Sequence, residues 1–194
     1  LPAGSYSVDV DGDDAPAGSG LSTANDPHTV TLAAGAAHDT SDFGFTGAGS
    51  LGDRLWLDLD GDGAQEAGEP GLVGVGLTLI WEGPDSAFGT PDDVTYATVT
   101  GADGAYSFAG LPAGAFSLAV DTADLPAGLT PSHDLDGPGT PSITAISLAP
   151  GGSRDDADFG YQGAGSIGDR VWLDFDGDGA QDAGEPGLGN ITIT

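Results

Sequence analysis

Apolar residues recur at every second position through much of this chain: Val73, Val75, Leu77, Leu79 and Trp81 alternate with small or polar residues, as do Val171, Leu173 and Phe175. A period of two sends successive side chains to opposite faces of an extended strand, so one face is apolar and buried. Comparable runs predict strands over residues 94–99, 105–108, 115–120, 144–148 and 158–161. Between the runs fall most of the 35 Gly and 13 Pro, which supply turns and leave no room for long helices. Those residues keep no triplet period, so a collagen-like helix is excluded. About seven short strands per repeat imply an all-β chain built as a β-sandwich.

The strands belong to a repeat. Residues 52–72 recur almost letter for letter at 168–188, Leu1-Pro-Ala-Gly matches Leu111-Pro-Ala-Gly, and Asp42-Phe-Gly-Phe matches Asp158-Phe-Gly-Tyr. The last two matches differ in offset by six residues, so a loop of variable length lies between them. The expected organisation is the back half of one sandwich over 1–48, a complete repeat over 49–163, and the opening strands and acidic loop of a further repeat over 164–194. Such an order is that of a window on a tandem array. The chain contains no Met and no secretory signal or membrane-length apolar run, so it is expected to come from a longer protein whose export signal and anchor lie outside it.

Charge narrows the partners. Against 31 Asp and Glu stand three basic residues, Arg54, Arg154 and Arg170, giving a net charge of -28. Such a surface repels nucleic acid and anionic membranes and attracts divalent cations. With no Cys, disulfides and thiolate metal sites are impossible, and ion binding is the remaining staple for an extracellular module.

Each copy of the repeated segment carries a loop with acids at positions one, three, five, nine and twelve and glycine at position six. Asp58, Asp60 and Asp62 offer side-chain oxygens, Ala64 its carbonyl, Glu66 a direct or water-mediated contact, and Glu69 a bidentate carboxylate; Asp174, Asp176, Asp178, Ala180, Asp182 and Glu185 repeat the set. Calcium, Ca2+, takes six to eight hard oxygens in flexible geometry, which this spacing supplies. A helix-loop-helix hand is excluded, because strands enter the loops and Pro70-Gly71 and Pro186-Gly187 follow them. Asp85, Asp92 and Asp93 form a weaker candidate ion site. Asp9, Asp11 and Asp13, and Asp134 with Asp136, are read as solvated loops.

No catalytic constellation emerges. His28, His38 and His133 have no nucleophile or metal partner at a recognised spacing and are expected on the surface, and no pair of acids is set apart as a glycosidase needs. Trp56 and Trp172 occupy the same place in each repeat, which favours packing over ligand stacking. Asn190-Ile-Thr192 matches a glycosylation acceptor.

The Gly-Asp-Arg-Leu/Val-Trp-Leu-Asp strand, the acidic loop ending in Gly-Glu-Pro-Gly-Leu, Asp103-Gly-Ala-Tyr-Ser-Phe, Gly110-Leu-Pro-Ala-Gly and Asp158-Phe-Gly-Tyr together resemble the B-type repeats of serine-aspartate-repeat surface proteins. The resemblance implies immunoglobulin-like or prealbumin-like β-sandwich modules that bind several calcium ions and form tandem stalks on bacterial surfaces. Related modules often carry a lysine-to-asparagine isopeptide bond; with no lysine here, that cross-link cannot form.

The expected function is therefore a non-enzymatic, calcium-stabilised structural module of an extracellular bacterial stalk or filament, with neighbouring modules as partners and self-assembly into a fibre. Each acidic loop follows shortly after the preceding module's last strand, so ions are expected at module junctions. The alternative is an adhesin module that binds a host protein or glycan.

Overall fold

Alternation becomes thirteen strands among the described residues: β1 (Gly4–Val8), β2 (Ser19–Leu21), β3 (His28–Leu32), β4 (Phe45–Gly47), β5 (Gly49–Asp58), β6 (Gly76–Trp81), β7 (Val94–Val99), β8 (Ala105–Leu111), β9 (Gly114–Val120), β10 (Leu129–His133), β11 (Ser142–Leu148), β12 (Ser153–Arg154) and β13 (Phe159–Gly163). The computed structural model describes every residue except Thr140, Pro141, Ile167, Asp169 and Thr194, and omits the side chains of Ser142, Thr144 and Ala145. Asp169 of the second acidic copy thus lies outside the described residues. The chain divides into two compact units, Leu1–Gly163 and Ala164–Thr194.

In the first unit, two sheets enclose one core, as a β-sandwich requires. One sheet runs β10-β13-β5, with β8 on the other edge of β5 and the short β12 beside its first residues; the other runs β11-β9-β6-β7. Leu55, Leu77, Leu79, Phe116 and Leu118 meet between the sheets with essentially no exposure. β5 pairs antiparallel with β8 but parallel with β13, so it is the central strand of its sheet. It is buried on both faces, because Trp56, on the face away from Leu55, lies under His133 of β10 with ring centroids 5.4 Å apart. A Cβ added to Gly160 of β13 would stand 2.7 Å from the Trp56 ring, so glycine is needed for this close approach.

The strand expected from Val73 starts later, at Gly76. Gly74 takes a left-handed φ of 81°, which turns Val73 outward and ends the alternation. Thr100 replaces the missing pairing: its hydroxyl donates to the Leu72 carbonyl (2.6 Å) and accepts from the Val75 N–H (2.9 Å).

Residues 1–48 reproduce the second half of the sandwich in register. Tyr6 pairs with Val30 as Phe116 pairs with Ile146, and Ser19 pairs with Gly47 as Leu129 pairs with Gly163. The six-residue difference falls between β10 and β11 and leaves both pairings intact. Counterparts of β5 to β8 are absent here, so Val8 is 36% exposed where its equivalent Leu118 is fully buried. This half is tied to the sandwich through Ala113 N–H, which donates to Ala17 O (3.2 Å).

The second unit departs from expectation. Among the described residues, 171–175 form no strand, although the sequence nearly repeats β5; a single bridge joins Trp172 to Gly187. The reason is partner supply: β5 is held by β8, β12 and β13, and no such strands lie in this unit. A lone extended segment does not hold together.

Candidate metal centre

The end of β5 delivers Asp58 into the first acidic loop, where it is 2% exposed despite its charge. Its oxygens accept from the N–H groups of Gly61 (2.6 Å) and Gly63 (3.0 Å), which curls the loop around the carboxylate. Both glycines have φ near +79°, a conformation that favours glycine. Burial alone would raise the Asp58 pKa, but the Ser132 side chain and these N–H groups outweigh it and hold the carboxyl below its ordinary range. At the other end, Glu69 accepts from Leu59 N–H (2.7 Å) through one oxygen and Glu66 N–H (3.1 Å) through the other. The loop is thus closed by its first and twelfth residues. Asp60 and Asp62 each accept from the N–H two residues ahead.

These contacts draw the carboxylates together. Asp58, Asp60 and Glu69 present oxygens within 4.8 Å of one another, and so do Asp60, Asp62 and Glu66. Burial, then the charges of Asp62, Glu69 and Asp60, raises the pKa of Glu66. The Arg54 guanidinium donates to two backbone carbonyls beside the loop, Asp103 O (2.6 Å) and Glu69 O (3.1 Å). A hard, oxygen-only donor set with excess negative charge fits a divalent cation.

The second loop repeats the geometry within its own unit. Asp174 accepts from Gly177 (2.7 Å) and Gly179 (3.0 Å), and Glu185 accepts from Phe175 (2.8 Å) and Asp182 (2.9 Å). Asp174, Asp176 and Glu185 form one close group; Asp176, Asp178 and Asp182 form another. Hydrogen bonds from Gly179 and Gly177 lower the Asp174 pKa. Ala64 and Ala180 stand between these acids at the seventh loop positions, each with its N–H bound to the preceding acid loop residue, Asp62 or Asp178 (2.7 Å each).

Asp85, Asp92 and Asp93 share one loop between β6 and β7 but turn toward its backbone. Asp92 accepts from Thr90 Oγ1 (2.6 Å), Asp93 from Gly89 N–H (2.7 Å) and Asp85 from Ala87 N–H (2.9 Å). Among the described residues they are not one of the close carboxylate groups.

Asp134 is the residue that sequence reasoning missed. It is 5% exposed rather than solvated, and neither of its oxygens has a hydrogen-bond partner among the described residues; the same holds for the buried Tyr161 hydroxyl and Trp56 indole N–H. The irregularity between Pro131 and His133 carries the chain inward here. Burial, then the neighbouring Asp136, raises the Asp134 pKa, and burial with the Asp134 charge pushes Tyr161 up to about 12. His133, expected on the surface, is half-buried against Trp56. The signal in the sequence was Pro131 two residues before His133, which cannot continue a regular ladder.

Residues 49–160 match the SdrD B-like domain family, more than half of the chain. The chain belongs to the SdrD B-like domain family. This SdrD B-like chain is 33% identical over 175 residues to serine-aspartate repeat-containing protein D of Staphylococcus aureus strain Newman, a match covering 86% of the chain and 12% of that protein. It is 34% identical over 151 residues to the bone sialoprotein-binding protein of S. aureus strain MRSA252, covering 75% of the chain and again 12% of the relative. The chain therefore spans about one eighth of the length of these relatives. A group B streptococcus pilus 2b backbone protein shares 14% identity over 84% of this chain and 53% of its own, with a TM-score of 0.28, too loose a likeness to carry an argument. The SdrD B-like chain is a cell-surface or extracellular repeat segment, and its relatives are surface proteins rather than enzymes.

Proposed function

We propose that this chain is a calcium-stiffened structural segment of a bacterial surface stalk or filament, made of a back half-module at 1–48, a complete module at 49–163 and the opening of a third at 164–194. Calcium is held by Asp58, Asp60, Asp62, Ala64, Glu66 and Glu69 in one loop and by Asp174, Asp176, Asp178, Ala180, Asp182 and Glu185 in the other.

The observation that carries this reading is where the first loop lies. β5 is ten residues long, about 33 Å. Its first residue packs against Leu111 near the preceding half-module, and its last, Asp58, pairs with Gln162, next to Gly163 where the first unit ends. Gly61 abuts the Gln162 side chain and Gly63 faces the Ser132 carbonyl. An ion in this loop braces the exit of its own module rather than the junction before it. Ten residues of strand separate the loop from the preceding half-module, so in this reading the ion acts at the exit of its own module.

Removing calcium should lower the melting temperature and increase bending of the particles in electron micrographs. If chelation altered neither, the proposal would fail. The name of the bone sialoprotein-binding relative motivates a second reading, an adhesin module. Binding of the 194-residue chain to an array of matrix proteins and glycans in calcium would favour that reading over a purely structural one.

A further inference from the structure

The chain has a side that its charge does not reach. From Val94 to Val120 the only charged residue is Asp103, in a protein of net charge -28. That stretch includes β7 and β8, which lie on the same side of the sandwich. Among the described residues β7 is the last strand of its sheet, paired only with β6, and β8 pairs only with β5. Exposed positions along this side are Thr95, Ala97 and Val99 of β7 and Ala105, Ser107 and Ala109 of β8.

Sheet edges in soluble proteins are usually blunted by a charge, a proline or a bulge, since unpaired N–H and C=O groups template pairing with another chain. β7 has none of these over its six residues, and its pairing with β6 is regular throughout. β10, the outer strand at the other side, carries both Pro131 and a register shift. The contrast marks β7 as an edge left open.

We propose that β7 is a lateral docking edge for a second copy of this chain, which adds antiparallel through a two-fold axis at Ala97. Charge bears on a second copy: each chain carries -28, and β7 and β8 hold no charged residue to repel their counterparts where two copies meet. Geometry selects the register. Thr100 N–H donates to Val75 O, and alternation along the strand then turns the N–H and C=O groups of Thr95, Ala97 and Val99 away from β6. Self-pairing through these groups sets Ala97 opposite Ala97 and Thr95 opposite Val99. It also sets Asp93 opposite Gly101 of the second copy rather than opposite another acid.

Because the chain lacks cysteine, cross-linking reads the register without background. A hydrogen-bonded antiparallel pair has Cα atoms about 5.5 Å apart, within disulfide reach. In the full 194-residue chain at high salt, Ala97→Cys should form disulfide dimers at least roughly tenfold faster than Ala36→Cys, an exposed control on the half-module. A mixture of Thr95→Cys and Val99→Cys chains should cross-link faster than either alone. Sedimentation should show concentration-dependent self-association that Ala97→Asp abolishes, by placing like charges opposite each other, and Ala36→Asp leaves intact. Equal cross-linking at positions 97 and 36, or self-association insensitive to Ala97→Asp, would overturn the proposal, as would a strict monomer at millimolar concentration. Thermal melts of each variant verify that the sandwich is intact.

Discussion

Replacing Glu69 by Gln should separate what the first acidic loop does with an ion from what it does without one. Glu69 closes the loop with two charge-assisted hydrogen bonds, to Leu59 and Glu66. Gln keeps one acceptor oxygen and turns an amide donor toward the other N–H, a loss of about 2 kcal/mol. The same change removes a negative charge whose oxygens lie within 4.8 Å of those of Asp58 and Asp60. Two like-charge pairs at that distance in water-like screening cost about 1.7 kcal/mol, so the effects nearly cancel in chelator. With calcium the balance changes. At free ion about 100-fold above the dissociation constant, the intact loop gains about 2.7 kcal/mol, and a 100-fold weaker loop gains only about 0.4 kcal/mol. For a unit of this size the gain corresponds to a rise of roughly 5–10 °C in melting temperature for the wild type and about 1 °C for Glu69→Gln. Calorimetry of both proteins in EDTA and in about 10 mM calcium reads the four values, that concentration being set by the roughly 0.1 mM affinity of extracellular modules. Superimposable calcium responses would refute the assignment of Glu69 as a ligand. A large gap in EDTA would refute the near-cancellation.

Two further outcomes follow from packing and titration. Gly160→Ala should destabilise the module by about 1–3 kcal/mol in urea melts, because the new methyl collides with the Trp56 ring; an unchanged midpoint would show that the ring has room to shift. Asp158, half-buried with its carboxylate beside Asp53, is pushed up to about 6 by burial first and by the Asp53 charge second. Its folded pKa lies above the unfolded value, so its contribution to stability is full below about pH 4 and is lost as pH rises through 6. Solvent screening of a half-exposed group reduces the swing to about 1 kcal/mol. In EDTA, Asp158→Asn should flatten the fall in stability between about pH 4 and 6 while keeping the acceptor for Arg54 N–H (3.1 Å); an unaltered pH profile would place the titration elsewhere.

Alternation and repetition were sufficient to locate the strands that pair within the sandwich, because β6, β8 and β9 each present one apolar row to the same core. They failed where a strand depends on partners. Residues 171–175 alternate as β5 does, yet without β8 and β13 beside them they stay open, and nothing in a local pattern records that loss. The acidic loops were legible because Asp and Glu at fixed spacing bind N–H groups of their own turn, which is local chemistry. Asp134 was not: its burial comes from an irregular strand carried across Trp56, a long-range event that an Asp-x-Asp-Gly segment resembles a solvated turn without. Val73 failed for a smaller reason, one left-handed glycine after it.

β5 begins at Gly49 and β13 ends at Gly163; the two run side by side and parallel, with Leu55 to Asp58 paired rung by rung to Phe159 to Gln162. A pull applied along the chain therefore draws β5 one way and β13 the other along their common axis. The rungs between them are loaded in shear and must yield together, whereas an antiparallel pair joined at one end would unzip one bond at a time. The strand that delivers Asp58 to its loop is also the strand through which the module bears tension.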